Sequence, residues 1–204
     1  MNIEIRKLSP DLAEDYVRFF DETPHSERPE KFKCYCVCWG GGNHHALNRS
    51  FLSSEEVRRK CAVKYVKKSI LQGYLAYCDG RVVGWCNANT KADCLKCFSW
   101  RMSMGTVPTG DADKKVKSVL CFAIAPEMRR HGVAGLLLER VCRDAAREGF
   151  DYAEGYPRKA FANGPKGHRG READDFMGPA ELFGKCGFGV HCEAGDRLVM
   201  RKKL

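Results

Sequence analysis

Residues 125 to 135 have the sequence APEMRRHGVAG and join a predicted strand to a predicted helix. The preceding stretch, KVKSVLCFAI from Lys115 to Ile124, begins with alternating polarity and ends apolar on both faces, as in a strand that enters a covered sheet. The following stretch, Gly132 to Glu148, has one broad apolar stripe and predicts an amphipathic helix. Gly149 is suited to a left-handed helix end, and FDYAEGY predicts the next strand. The sequence therefore predicts a β-α-β unit.

The turn inside this unit has the composition of an anion-binding site. A helix N-terminus exposes unpaired amide groups and about half a positive charge, so a phosphate group binds there readily. Gly132 allows close approach to the backbone, while Arg129 and Arg130 offer forked hydrogen bonds to phosphate oxygens. Ala134 and Gly135 leave the first helical turn without bulky side chains. These residues are compatible with a pyrophosphate ligand. They are equally compatible with an ordinary strand-to-helix connection whose arginines are solvated.

The sequence before this unit predicts a strand, two helices and a hairpin. The strand is IEIRKL at residues 3 to 8, and Ser9 with Pro10 begins the first helix. A capping box of Ser53 and Glu56 predicts a second helix that runs to about Gly73. Asp79 and Gly80 join two apolar runs and predict a tight β-hairpin turn.

The sequence after this unit predicts a basic, glycine-rich segment, a short helix and two closing strands. The segment covers residues 158 to 175, the helix covers Gly178 to Lys185, and the strands are FGV and RLVMRK.

Length, charge and composition narrow the class of protein. A length of 204 residues with 44% hydrophobic content predicts one domain, residues 1–204. No long apolar run or signal peptide is recognisable, which predicts a cytoplasmic protein without a membrane partner. The net charge of +9 favours a polyanionic partner. Nucleic acid is not expected, because the sequence lacks the aromatic platform or recognition helix of such modules.

The signature turn and its surroundings resemble the GNAT superfamily of acyl-CoA-dependent N-acetyltransferases. The superfamily motif Q/R-x-x-G-x-G/A is matched by Arg129, Gly132 and Ala134, after a strand end that includes Ile124 and Pro126. The downstream LFGKCGF also matches, and the order of elements agrees over most of the sequence. The resemblance implies an α/β fold with a central, mostly antiparallel sheet, a splayed pair of parallel strands and flanking helices. It also implies acetyl-CoA as acyl donor and an amine as acceptor.

The resemblance assigns the cofactor-binding residues one by one. The strand residues whose backbone would pair with the pantetheine arm are Phe122, Ala123 and Ile124. An N–H near Ala123 would polarise the thioester carbonyl. The residues around the pyrophosphate would be Arg129, Arg130, His131, Gly132, Val133, Ala134 and Gly135. Phe183 stands where the superfamily often has a tyrosine, so it can pack on the cofactor arm but cannot donate a proton.

Two residues of the strand after the signature helix are candidates for proton transfer. Glu154 is the candidate general base, and its alternative role is an ion pair. Tyr156 is the candidate general acid, and its alternative role is half-buried packing beside Pro157. The missing tyrosine at Phe183 keeps a second function open, a catalytically inactive acyl-CoA-binding or sensory domain of the same fold.

Cysteines and loops give weaker hypotheses. A zinc site that joins Cys34, Cys36 and Cys38 to Cys94 and Cys97 is conceivable from spacing, but the pattern favours no metal. The resemblance implies that CYCVCWGGGNHH lies on the substrate side, with Trp39, His44 and His45 as wall residues, and residues 158 to 172 are a second expected substrate-side loop. Either loop is equally compatible with an ordinary packed or solvated surface loop.

Overall fold

The computed structural model describes residues 2–23, 33–40, 54–109, 113–159 and 176–204. Its centre is a seven-stranded sheet of order β1-β2-β3-β4-β5-β7-β6. The strands are β1 (Ile3–Lys7), β2 (Gly73–Cys78), β3 (Arg81–Thr90), β4 (Val116–Ile124), β5 (Tyr152–Gly155), β6 (Gly189–Ala194) and β7 (Arg197–Lys203). Strands β4 and β5 pair in parallel, and every other neighbouring pair is antiparallel. The predicted mostly antiparallel sheet with one parallel pair is confirmed.

The helices lie on both faces of this sheet. In the described ranges they are α1 (Ala13–Glu22), α2 (Glu55–Lys67), α3 (Lys91–Cys94), α4 (Phe98–Ser103), α5 (Val133–Arg147) and α6 (Ala180–Lys185). Tyr16 of α1 lies edge-on to Trp85 of β3 with ring centroids 4.8 Å apart. The neighbouring Gly84 faces α5, because a Cβ there would lie 3.1 Å from Val133. Successive strand residues point to opposite faces, so α1 and α5 cover opposite faces of the sheet.

The hairpin between β2 and β3 has the predicted turn. Asp79 and Gly80 have φ angles of 49° and 78°, so both central residues are left-handed. This conformation matches the twist of the flanking strands, and Asp-Gly tolerates it well. The β2–β3 turn prediction is confirmed.

Helix α2 differs from its prediction at both ends. Its N-cap is Ser54, whose Oγ accepts a hydrogen bond from the Val57 N–H at 3.4 Å, rather than Ser53, which lies outside the described residues. Glu56 is therefore one position too early to complete a capping box. The helix ends at Lys67 and not near Gly73, because Ser69 turns left-handed with a φ of 53°. The apolar residues after this turn keep the helical spacing in the sequence, but they are not part of the helix.

The buried side chains form one connected hydrophobic core on both sides of the sheet. Across the described ranges, no helix combines the length and apolarity that a bilayer span requires.

Candidate active site

Strand β5 separates from β4 halfway along β4 and leaves a gap in the sheet. The parallel pairing joins Val116–Val119 to Tyr152–Gly155 and then stops, while β4 continues to Ile124. At the same level β4 has a bulge: Asn87 of β3 pairs with Cys121, but Ala88 pairs with Val119. The extra residue bends β4 away from β5. The splayed strand pair is thus present, and the gap runs beside residues 120 to 124 of β4.

Phe122 and Ile124 direct their backbone groups into this gap. The Ala125 N–H donates to the Val83 carbonyl oxygen at 2.9 Å, so Ala125 faces β3, and by strand alternation Ala123 does too. The Phe122 N–H points the other way and donates to the Phe176 carbonyl oxygen at 2.6 Å. The amide that could polarise a thioester carbonyl is therefore that of Phe122, and not that of Ala123 as the sequence suggested.

The turn from β4 into α5 has an open, left-handed backbone. Arg130 and Gly132 have φ angles of 66° and 80°, and Gly132 is the N-cap of α5 without a side-chain cap. The first intrahelical bond of α5 runs from the Leu136 N–H to the Gly132 carbonyl oxygen at 3.1 Å. The amides of Val133, Ala134 and Gly135 precede it and so have no intrahelical acceptor.

The surroundings of this turn leave room for an anion. A Cβ added at Gly132 or Gly135 would meet no atom within 4 Å. Arg129, Arg130 and His131 are exposed, and the Arg129 Nε donates to the Ile124 carbonyl oxygen at 3.2 Å. That bond anchors Arg129 beside the end of the gap. Open amides, positive side chains and an adjacent strand gap fit a ligand that combines a pyrophosphate with an extended amide-bearing arm.

Phe183 is fully buried at the inner end of the gap. Its ring lies 6.2 Å from that of Phe122 and 5.3 Å from that of Phe188, measured between centroids. Gly155, the last residue of β5, lies against the same ring, since a Cβ on Gly155 would be 2.0 Å from Phe183. The absence of a side chain at Gly155 therefore lets α6 pack against the end of β5.

Replacing Gly155 with alanine should destabilise the protein by about 1–3 kcal/mol, because the added methyl group overpacks against Phe183. Urea unfolding of the variant measures this loss. Gly184→Ala is the control, because a Cβ at that helical position meets nothing within 4 Å and alanine favours a helix. Gly155→Ala combined with Phe183→Leu should be more stable than the sum of the single losses predicts. Additive losses would contradict the contact.

Glu154 lies in a buried network of ion pairs. Its side chain is 0% exposed, Lys91 Nζ lies 2.8 Å from Oε2, and the Arg201 guanidinium reaches Oε1 at 2.6 Å. The Tyr156 hydroxyl also donates to Oε2 at 2.9 Å. Both carboxylate oxygens are therefore engaged, and this geometry supports the ion-pair alternative over the general base.

Tyr156 is fully buried, and not half-buried as its packing alternative assumed. Its hydroxyl lies 2.6 Å from the Ser118 Oγ, and its ring packs edge-on against Trp100. Burial, reinforced by the Glu154 charge, raises the pKa of Tyr156 well above its ordinary value. The phenol therefore stays protonated and acts as a hydrogen-bond donor to Glu154.

Sequence reasoning missed Lys91 and Arg201, the two cations that hold Glu154. Lys91 comes directly after β3, and Arg201 follows the apolar run of β7. The available signal was weak: a charged residue adjoining an apolar strand suggests a buried partner only when the strand order is known.

The cysteines of the suggested zinc site are free and buried. Cys34, Cys36, Cys38, Cys94 and Cys97 form no disulfide. Within the part of the protein that the structure describes, no three potential ligands converge on a metal position. Trp39 is 1% exposed, so it belongs to the core, while His44 and His45 lie outside the described residues. The same holds for residues 160–172 of the second expected loop.

Solved structures with a similar fold are N-acetyltransferases of low sequence identity. The PaiA N-acetyltransferase of Thermoplasma acidophilum, solved in complex with coenzyme A, has a TM-score of 0.54 and 15% identity, with 100% of both proteins covered. A mosquito arylalkylamine N-acetyltransferase, like 5b, has a TM-score of 0.55 and 13% identity, again with 100% of both proteins covered. The Drosophila melanogaster polyamine N-acetyltransferase has a TM-score of 0.50 and 12% identity, also over 100% of both proteins. These likenesses establish the shared fold.

The family model gives the assignment that the fold alone does not. No curated protein sequence matches this one. The model of the acetyltransferase (GNAT) family matches residues 11–155, which include the splayed strands, the open turn and α5. The protein therefore belongs to the acetyltransferase (GNAT) family.

Proposed function

We propose that the protein transfers an acetyl group from acetyl-CoA to a primary amine of a small molecule or of a protein. The observation that carries the proposal is the continuity between the open amides at the start of α5 and the gap beside Phe122 and Ile124. The pyrophosphate lies on the amides from Val133 to Gly135, and the exposed arginines of the turn attract its charge. The pantetheine arm extends along the gap and pairs with Phe122 and Ile124.

The amide of Phe122 is the group that acts on the thioester in this proposal. Its N–H donates to the thioester carbonyl and stabilises the negative charge that develops as the amine nitrogen attacks. The carbon–sulfur bond then breaks, the thiolate of coenzyme A leaves, and the amine loses its proton to solvent. In this structure the Phe122 N–H donates to the Phe176 carbonyl oxygen. In the proposed complex the thioester carbonyl replaces the Phe176 carbonyl as the acceptor of this hydrogen bond.

Glu154 and Tyr156 have a different role in this proposal from the one the sequence suggested. They fix the geometry of β5 beside the reacting groups as a buried, ion-paired unit and exchange no proton. Phe183 packs behind the gap and leaves the thiolate without a tyrosine donor.

An inactive acyl-CoA-binding domain remains the second candidate. Two observations favour it: the aromatic Phe183 in place of a hydroxyl donor, and the Phe176 carbonyl on the Phe122 amide.

Thermal unfolding with acetyl-CoA, followed by thiol release with a panel of amines, tests the proposal. Acetyl-CoA at about 100 times its Kd should stabilise the protein by about 2.7 kcal/mol. Coenzyme A thiol should then appear only when an acceptor amine is added. Stabilisation without thiol release from any amine would favour the inactive binding domain. No stabilisation at all would reject both candidates.

A further inference from the structure

Asn87 is a buried carboxamide whose polar atoms have no partner within the described residues. The residue is 0% exposed, and neither its Nδ2 nor its Oδ1 has a hydrogen-bond partner there. A buried polar group without a partner is destabilising, and native proteins rarely keep one without a functional reason. The amide therefore indicates a place where a bound molecule supplies the missing hydrogen bonds.

Asn87 lies beside the point at which acyl transfer would occur. It pairs in register with Cys121, the residue before Phe122, at the bulge where β5 leaves β4. Directly paired residues of antiparallel strands share a face, so Asn87 lies on the same face as Cys121 and Trp85. This is the face that α1 covers. An acceptor that approaches the thioester from this face passes over Asn87.

The polar groups near Asn87 on this face are already committed to one another. Asn89, two residues further along β3, accepts a hydrogen bond from the Thr90 N–H at 2.8 Å. Ser118, which pairs with Asn89, lies 2.6 Å from the Tyr156 hydroxyl. Glu154, paired with Ser118 across the parallel strands, is held by Lys91 and Arg201. None of these groups satisfies Asn87.

We propose that Asn87 recognises the acceptor, and that the acceptor is an α-amino carbonyl compound, such as an amino acid amide or the N-terminal residue of a peptide. This assignment rests on the proposed transferase function. The Oδ1 of Asn87 accepts an N–H of the acceptor amine, and its Nδ2 donates to the acceptor's carbonyl oxygen. An alkylamine would leave the Nδ2 unsatisfied. A polyamine lacks this carbonyl oxygen as well.

Asn87 is fully covered in this structure, so the acceptor displaces part of the cover on the α1 face when it binds. The two hydrogen bonds that it supplies offset this displacement. A ligand without both groups gains less from the same opening, which makes the buried amide a selective contact.

Two acceptors of matched shape test the substrate class. Glycinamide and isobutylamine have the same branched skeleton, but only glycinamide has a carbonyl oxygen next to its amine-bearing carbon. Glycinamide is the less basic amine, so kcat/KM is calculated on the concentration of unprotonated amine. On this scale the wild-type protein should acetylate glycinamide about tenfold or more better than isobutylamine, and spermidine should be poorer than glycinamide. Equal use of glycinamide and isobutylamine, or a preference for spermidine, would overturn the assignment.

Two asparagines on the same strand face test the residue. Asn87→Leu removes an unsatisfied amide, so the variant should unfold at the same or a higher temperature than the wild type. Its KM for glycinamide should rise about tenfold and by more than its KM for isobutylamine, which loses only the contact of its amine with Oδ1, while its affinity for acetyl-CoA stays unchanged. Asn89→Leu removes an amide whose Oδ1 accepts a hydrogen bond from the Thr90 N–H, so this control should lower the unfolding temperature and keep the preference for glycinamide. If Asn87→Leu is destabilised as Asn89→Leu is and keeps the preference, Asn87 is a structural amide bridged by water.

Failure of the transferase proposal gives a different result. If the wild type binds acetyl-CoA but acetylates no amine, the proposed function is wrong. Calorimetric titration of glycinamide and isobutylamine into the complex with coenzyme A then tests Asn87 alone. Preferential binding of glycinamide that disappears in Asn87→Leu supports the recognition role, and equal binding overturns it.

Discussion

Replacing Gly132 with valine should weaken acetyl-CoA binding by about 30-fold, equivalent to about 2 kcal/mol of binding free energy. Gly132 is the N-cap of α5 with a φ of 80°, a conformation that strains every residue with a Cβ and strains a β-branched residue most. A Cβ at Gly132 would meet no atom within 4 Å, and this open space is where we propose that the pyrophosphate binds. The substitution therefore distorts the three open amides and blocks the approach to them. Isothermal titration with acetyl-CoA measures the change.

Gly149 gives a matched control at the opposite end of the same helix. It has a φ of 71°, and a Cβ there would also meet no atom within 4 Å. Gly149→Val and Gly132→Val should therefore destabilise the protein to a similar extent, by about 1–2 kcal/mol, because each places a side chain on a left-handed residue. Its affinity for acetyl-CoA should remain that of the wild type. If both variants lose affinity equally, the loss comes from strain in α5, and the phosphate site at Gly132 is wrong.

The features that depend on local sequence could be predicted, because the responsible residues lie close together in the sequence. The hairpin follows from Asp79 and Gly80 alone, and the turn into α5 follows from one glycine between a strand and an amphipathic helix. The gap beside Phe122 is different. The resemblance to a family implied it, but its position depends on a bulge opposite Asn87 that no local pattern encodes.

The features that depend on long-range contacts could not be predicted. The partners of Glu154 are separated from it by 63 residues at Lys91 and by 47 residues at Arg201. Glu154 and Tyr156 lie two residues apart, so strand alternation places them on one face, but alternation says nothing about what covers that face. For the same reason a solvent-accessible base and a buried ion pair could not be told apart in the sequence.

The end of α2 illustrates a second kind of limit. Apolar residues continue past Lys67 at the spacing of a helix, and this pattern predicted a helix to about Gly73. The backbone instead turns at Ser69, and the Ile70 N–H donates to the Tyr65 carbonyl oxygen at 2.8 Å. Leu71, beyond the turn, packs into the core in the connection to β2. Apolar spacing alone cannot distinguish this packing from another helical turn.

Replacing Glu154 with glutamine should destabilise the protein by about 3–5 kcal/mol, because the substitution removes the carboxylate that pairs with the buried Lys91 and the part-buried Arg201. The Lys91 side chain is 4% exposed and that of Arg201 is 12% exposed, so water cannot replace the lost charge at Lys91. Urea unfolding at neutral pH measures the loss. Lys91→Met is the comparison, and it should lose less, because Glu154 keeps its contacts with Arg201 and Tyr156. The double variant should be more stable than the sum of the two losses predicts, since it removes one uncompensated cation.

The same Glu154→Gln variant separates the ion-pair role from the general-base role. Both oxygens of Glu154 are engaged by Lys91, Arg201 and Tyr156, so Glu154 should not take a proton from the amine. Burial raises the pKa of Tyr156, so its phenol should stay protonated throughout the reaction. The profile of kcat/KM against pH should then keep its wild-type shape, even if the rate falls at every pH. A general base would give another result: the rate would fall strongly at neutral pH and recover at high pH, where the free amine needs no base. A stable variant with that recovery would show that Glu154 takes the proton. A destabilised variant with an unchanged profile would show that Glu154 acts through the geometry of β5.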